Sequence, residues 1–145
     1  MNTYKTKLMS VGTDHKGNVW TEDNLKDIVK SSKDKPVNIN YDVSYVVGKV
    51  IDCMYDESSK SITATIEVDD TQLSTDMKYS GYGICVESVT CSECKCNASK
   101  HEECCDHMKN DMTKQINGPC ELSEIAILKE DQAVHKDSIL TEVTK

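Results

Sequence analysis

The sequence predicts an α+β, β-rich fold: an antiparallel sheet or partly closed barrel with two or three short helices and one polar, cysteine-rich insertion. Three observations carry this. Ile62, Ala64, Ile66 and Val68 alternate with Thr63, Thr65 and Glu67, the period of two of a half-buried strand. The interior must be built from Ile, Val, Leu, Met and Tyr, because there is no Phe and Trp20 is the one Trp, and that palette favours strands. Cys91 to His107 (CSECKCNASKHEECCDH) gathers five cysteines and two histidines in seventeen residues, a stretch too polar to make a core of its own.

Thr3 to Val11 reads as a short strand, followed by a loop rich in turn formers from Gly12 to Asn18, where His15 is read as solvated. Thr21 caps a helix that ends near Ser31. Glu22 and Asp23 fall in its first turn, where the helix dipole favours negative charge, and Leu25, Ile28 and Val29 form its apolar stripe. Pro36 opens a strand running to Tyr41. The apolar run from Tyr45 to Met54 pairs with Ile62 to Val68 in a hairpin closed by the turn Asp56 to Lys60, and Gly48 within it implies a bulge or a close backbone approach. Asp69 and Asp70 cap a short helix carrying Leu73 and Met77. Ser80-Gly81-Tyr82-Gly83 then leads into a strand from Ile84 to Val89. Beyond the cysteine segment, Gly118-Pro119 marks the return, and Cys120 to Leu128 reads as a strand anchored by Leu122, Ile125 and Ile127. Cys53, Cys85 and Cys120 lie in or beside strands and read as buried thiols.

The cysteine segment has the spacing of a metal site. Zinc takes four ligands in a tetrahedron, commonly from two short knuckles that give two ligands each. Cys91-x-x-Cys94 is one knuckle, and Cys105-x-His107 or Cys104-x-x-His107 supplies the second. The preferred set is Cys91, Cys94, Cys105 and His107, with Cys104 as the substitute and Cys96 and His101 as competitors. A full set of four leaves no open position, so the expected Zn2+ is structural, one per chain. Disulfides are the alternative, but the first residues, MNTYKTKLMS, lack the apolar stretch of a secretory signal.

The charge balance excludes several classes. Lys+Arg is 17 against 25 Asp+Glu, a net charge of -8, and every basic residue is Lys. An acidic surface without Arg repels phosphate, so nucleic acid is not an expected partner. No apolar run approaches the roughly 20 residues a membrane span needs.

In order and local phrasing, the segments resemble the prohead (capsid maturation) protease family of tailed bacteriophages, whose fold is related to the herpesvirus assembly proteases. Pro36-Val37-Asn38-Ile39-Asn40-Tyr41-Asp42 stands where that family has a strand ending in His-Asp, and Val47-Gly48-Lys49-Val50 where it has Ile-Gly-x-Val. Gly81-Tyr82-Gly83-Ile84-Cys85-Val86 matches its Gly-x-Ser-Ile-Gly-Phe strand, and Glu121-Leu122-Ser123-Glu124-Ile125 its Glu-Leu-x-Glu strand. Some members also carry a Cys-x-x-Cys … Cys-x-His insert. The resemblance covers residues 5 to 130. It implies a single protease-like β domain over 1–130 with a zinc-knuckle insertion at 90–119, and 131–145 as a charged C-terminal arm that orders against a neighbour.

The reactive pair of that family is missing. Tyr41 stands at the histidine position and Gly83 at the serine position. A phenol is a poor general base near neutrality, and glycine carries no nucleophile. The resemblance with this departure implies a catalytically inactive relative: a virion structural protein, assembled in the host cytoplasm, that binds the major capsid protein or another virion protein in multiple copies. Two alternatives stay open. One is an active serine or cysteine protease using Ser80, Cys85 or Ser88 with His15 or His135; the other is a zinc-knuckle binding module.

Overall fold

Strand β9 (Lys114–Lys129) is the element on which the other strands converge. In the computed structural model, which describes residues 2–14, 17–91, 97–98, 114–132 and 138–143, one edge of β9 pairs along almost its whole length with β7 (Met77–Cys91), antiparallel. Its other edge is shared by two short parallel partners, β4 (Pro36–Ile39) at Ile125 to Ile127 and β3 (Asn18–Trp20) at Lys114 and Gln115. The sheet runs β10-β1-β6-β5-β4-β9-β3-β2, where β1 is Asn2–Ser10, β2 Gly12–Thr13, β5 Val46–Asp56, β6 Ser61–Val68 and β10 Thr141–Glu142. A two-residue strand β8 (Asn97–Ala98) pairs with Thr90 and Val89.

The sheet curls until its two ends approach. Residues 138–143 bridge the gap: Ser80 N–H donates to the Ser138 carbonyl at 2.8 Å and Leu140 N–H to the Lys78 carbonyl at 2.8 Å. Thr141 and Glu142 then pair with Lys5 and Tyr4 of β1. Across the same seam the hydroxyls of Thr6 and Ser80, both buried, lie 2.5 Å apart. The result is a partly closed barrel. The described residues 138–143 of the expected C-terminal arm lie in this seam, against the chain's own β1 and β7.

The helix α1 (Glu22–Ser31) closes one mouth of the core. Thr21 Oγ1 accepts the Asn24 N–H and Asn24 Oδ1 accepts the Thr21 N–H, a reciprocal capping box that satisfies two donors no helical carbonyl can reach. Leu25 and Ile28 are fully buried with Val50, Ile62, Ile66, Leu122, Ile125 and Ile127 in one continuous core. Polar groups tie the helix to β9, because Ser31 Oγ accepts the Leu122 N–H at 2.9 Å and Asp27 Oδ2 the Cys120 N–H at 3.2 Å.

The β-rich class, the hairpin of β5 with β6 and the helix capped by Thr21 agree with expectation. Three expectations are corrected. The sheet is mixed, not antiparallel, because β3 and β4 each lead away through a long excursion and so meet β9 running the same way. There is one α-helix among the described residues. In place of a helix over Leu73 and Met77, a single 3-10 turn spans Asp70–Gln72, since Asp69 turns its carboxylate onto Thr71 and Ser74 bonds Asp76, giving the backbone local alternatives to a helix. Met77 begins β7, and Ser80 to Gly83, expected as a lead-in, lie inside that strand.

Gly48 of β5 pairs with Val68 of β6, and a Cβ there would overlap the Glu67 carbonyl oxygen. Backbone cannot yield as a side-chain tip can. Gly48→Ala is expected to destabilise the fold by about 3 kcal/mol, read as a lower urea midpoint with an unchanged m-value.

Candidate functional site

Of the expected zinc ligands, Cys91 is described in its backbone, at the end of β7 opposite Lys114. Cys94, Cys105 and His107, with Cys96, His101 and Cys104, lie outside the described residues. Among the described residues no group of three or more His, Cys, Asp or Glu side chains is placed to hold a metal ion. Nor is any described helix long and apolar enough to cross a membrane.

The second candidate site is built by three elements. Strand β4 ends where Asn40 and Tyr41 both take left-handed backbone angles, φ 56° and 63°. That turn sends the Tyr41 side chain across β9 onto β7. Its phenol oxygen occupies the space that a side chain at Gly81 would fill, beside the Tyr82 backbone. One step along the same face, a Cβ at Gly83 would lie 2.9 Å from both Glu124 Oε2 and Ser123 Oγ. Glu124 Oε1 accepts Asn38 Nδ2 at 2.9 Å. Tyr41 and Gly83, forty-two positions apart, thus share one small patch with Asn38, Gly81 and Glu124.

Burial raises the Tyr41 phenol above its ordinary pKa, and the Glu124 carboxylate raises it further by opposing a second negative charge. Tyr82 is raised for the same first reason, with Asp14 and Tyr41 adding to it. Both phenols are therefore neutral hydrogen-bonding groups near pH 7. Asn38 is 1% exposed, and its Oδ1 has no hydrogen-bond partner.

The alternative nucleophiles are distributed differently. Ser80 is buried in the barrel seam against Thr6 and the Ser138 carbonyl. Ser88 Oγ accepts Asn117 Nδ2 at 3.0 Å. Cys85 is exposed, contrary to the expected buried thiol, because β7 turns that side chain outward beside Glu87. His15 and His135 lie outside the described residues. Cys53 and Cys120 are buried as expected, and burial pushes each thiol up to about 11.

Asn38, Gly81 and Glu124 did not stand out in sequence as members of a site. The available signal was a polar side chain at an otherwise apolar strand position: Asn38 between Val37 and Ile39, and Glu124 before the run Ile125 to Leu128.

Two outcomes follow. Gly81→Ala is expected to destabilise the native chain, and to do so by at least about 1 kcal/mol less in a Tyr41→Phe background, a coupling that a double-mutant cycle in urea measures. The Cys53 and Cys120 thiols have folded pKa values above their unfolded ones, so their contribution is intact below about pH 8.5. It is lost as pH rises toward about 11. Unfolding free energy should fall over that window, and less steeply in Cys53→Ala.

No family model matches the chain, and neither a curated protein nor a solved structure is found similar to it.

Proposed function

We propose that this chain is a non-catalytic structural protein of a bacteriophage particle, built on a relative of the prohead protease fold. The observation that carries the reading is the patch of Tyr41 and Gly83. At the two positions where the resembled family has its histidine and serine, this chain has a neutral phenol packed against Gly81 and a residue with no side chain. Acyl transfer needs a nucleophile with a base in hydrogen-bond reach, and neither Tyr41 nor Gly83 can take either part. It offers instead a brace between the β4 end and β7. A structural role on a particle also suits the acidic charge of -8, which favours a basic partner surface such as one on a major capsid protein or another virion protein.

In this reading one structural Zn2+ is held by Cys91, Cys94, Cys105 and His107. The ion would cross-link a polar excursion that has little apolar surface to bury. Multiple copies assembled in the host cytoplasm and retained in the virion complete the proposal.

A fluorophosphonate probe, with iodoacetamide for thiols, tests the central point. The native protein should show no fluorophosphonate labelling and no denaturation-sensitive labelling of Cys85. Labelling of Ser80 or Ser88 that disappears on heating would mean an active protease. Protein purified under reducing conditions should carry about one zinc per chain by elemental analysis, falling by at least about half in Cys105→Ser with His107→Ala. Native, metal-free protein would remove the zinc from the proposal.

A further inference from the structure

The β4–β5 loop exposes a run of large apolar side chains. Val43 is 77% exposed, Val46 54%, Tyr41 46% and Tyr45 43%, all within six residues, whereas the other large exposed hydrophobics among the described residues, Met54 and Ile139, stand singly. The loop is also held in one shape. Asp42 Oδ1 accepts both the N–H and the hydroxyl of Ser44, at 2.9 and 2.6 Å. Tyr45 N–H donates to the Asp42 carbonyl at 2.9 Å, and the Tyr45 hydroxyl donates to Gln72 Oε1 at 3.1 Å. A contiguous apolar patch presented by a rigid turn is what interaction surfaces display, since ordering costs are already met before binding.

Beside the loop lies an open depression of about 560 Å³ whose lining includes Tyr45, Val46, Lys49, Glu67, Asp69 and Gln72. Its charges select the occupant. The lining carries two carboxylates, Glu67 and Asp69, and one lysine, Lys49, and the adjoining loop adds Asp42. Bonds from Ser44 and Thr71 hold Asp42 and Asp69 below the ordinary carboxylate range, so both remain ionised well into acid. A second copy would bring like charge to like, in a chain whose net charge is already -8, and nucleic acid would fare no better.

We propose that the β4–β5 loop and the depression beside it form a docking surface for a protein partner that inserts an apolar side chain flanked by lysines or arginines. This surface is read from its own residues and stands whether or not the partner belongs to a phage particle.

The test is an NMR titration of the full chain, ¹⁵N-labelled, with an eight-residue peptide alternating Leu and Lys. Peptides alternating Leu with Glu and Ser with Lys are the comparisons. Amide shifts confined to residues 42–49 and 67–72 are expected with the Leu/Lys peptide alone. Val43→Asp should weaken that binding by about tenfold or more, although it adds a negative charge, and Met54→Asp, at the other end of β5, should leave it unchanged. Shifts scattered over the acidic surface, equal binding of the Ser/Lys peptide, or undiminished affinity in Val43→Asp would overturn the proposal. So would a dimer of the unliganded protein, seen by sedimentation, that Val43→Asp dissolves, for the surface would then be covered by a second copy.

Discussion

The Tyr41 phenol reaches over β9 and lies on the backbone of β7, and it fits because position 81 carries no side chain. That contact joins the end of β4 to β7, strands that do not pair with each other but flank β9. The left-handed angles at Asn40 and Tyr41 are the local cost, of order 1–2 kcal/mol per residue for side chains other than glycine. They persist because the surrounding groups determine them: the Asn40 N–H is held by the Ile127 carbonyl at 3.0 Å and the following turn by Asp42.

The rest of the molecule extends the same economy of close approaches. β5 can lie against β6 because Gly48 leaves room for the Glu67 carbonyl, and α1 can lie on β9 because Asp27 and Ser31 take N–H groups that the strand leaves unpaired. Where β7 and β1 would otherwise be left as open edges, residues 138–143 supply a bridging strand, with the Thr6 and Ser80 hydroxyls inside the seam. An edge covered in this way is no longer a template for indiscriminate pairing. The exposed apolar loop between β4 and β5 contrasts with that protection, which is why it reads as a surface kept for a partner.

Much of the fold was legible because it depends on local periodicity. The β5–β6 hairpin follows from the alternation of Ile62 to Val68, and α1 from Thr21 and the spacing of Leu25 and Ile28, all of which are properties of neighbouring residues. What was not legible depends on distant contacts. Gly81 and Gly83 resemble turn glycines in sequence, yet they lie within β7, and Gly81 is needed there because Tyr41 arrives from forty positions away. The parallel partners of β9 were hidden for the same reason: Val37 and Ile125 look alike whichever direction their strands run. The barrel seam was hidden too, since the short apolar pair Ile139-Leu140 in a charged tail does not say that Ser138 and Leu140 will bond to β7. In the candidate site, Tyr41 and Gly83 were found through the resemblance, whereas Asn38 and Glu124 became visible once β4 and β9 were side by side.

A reactive pair and a structural brace make different demands on the same place. A reactive pair must leave its hydroxyl and imidazole open to a substrate, whereas a brace keeps its groups occupied with one another. Amide hydrogen exchange at Tyr82 separates the two most directly. Slow exchange in the native protein, accelerated in Tyr41→Phe, is the result expected of a phenol that covers the β7 backbone there; exchange at the rate of an exposed strand edge, unaffected by the substitution, would contradict it.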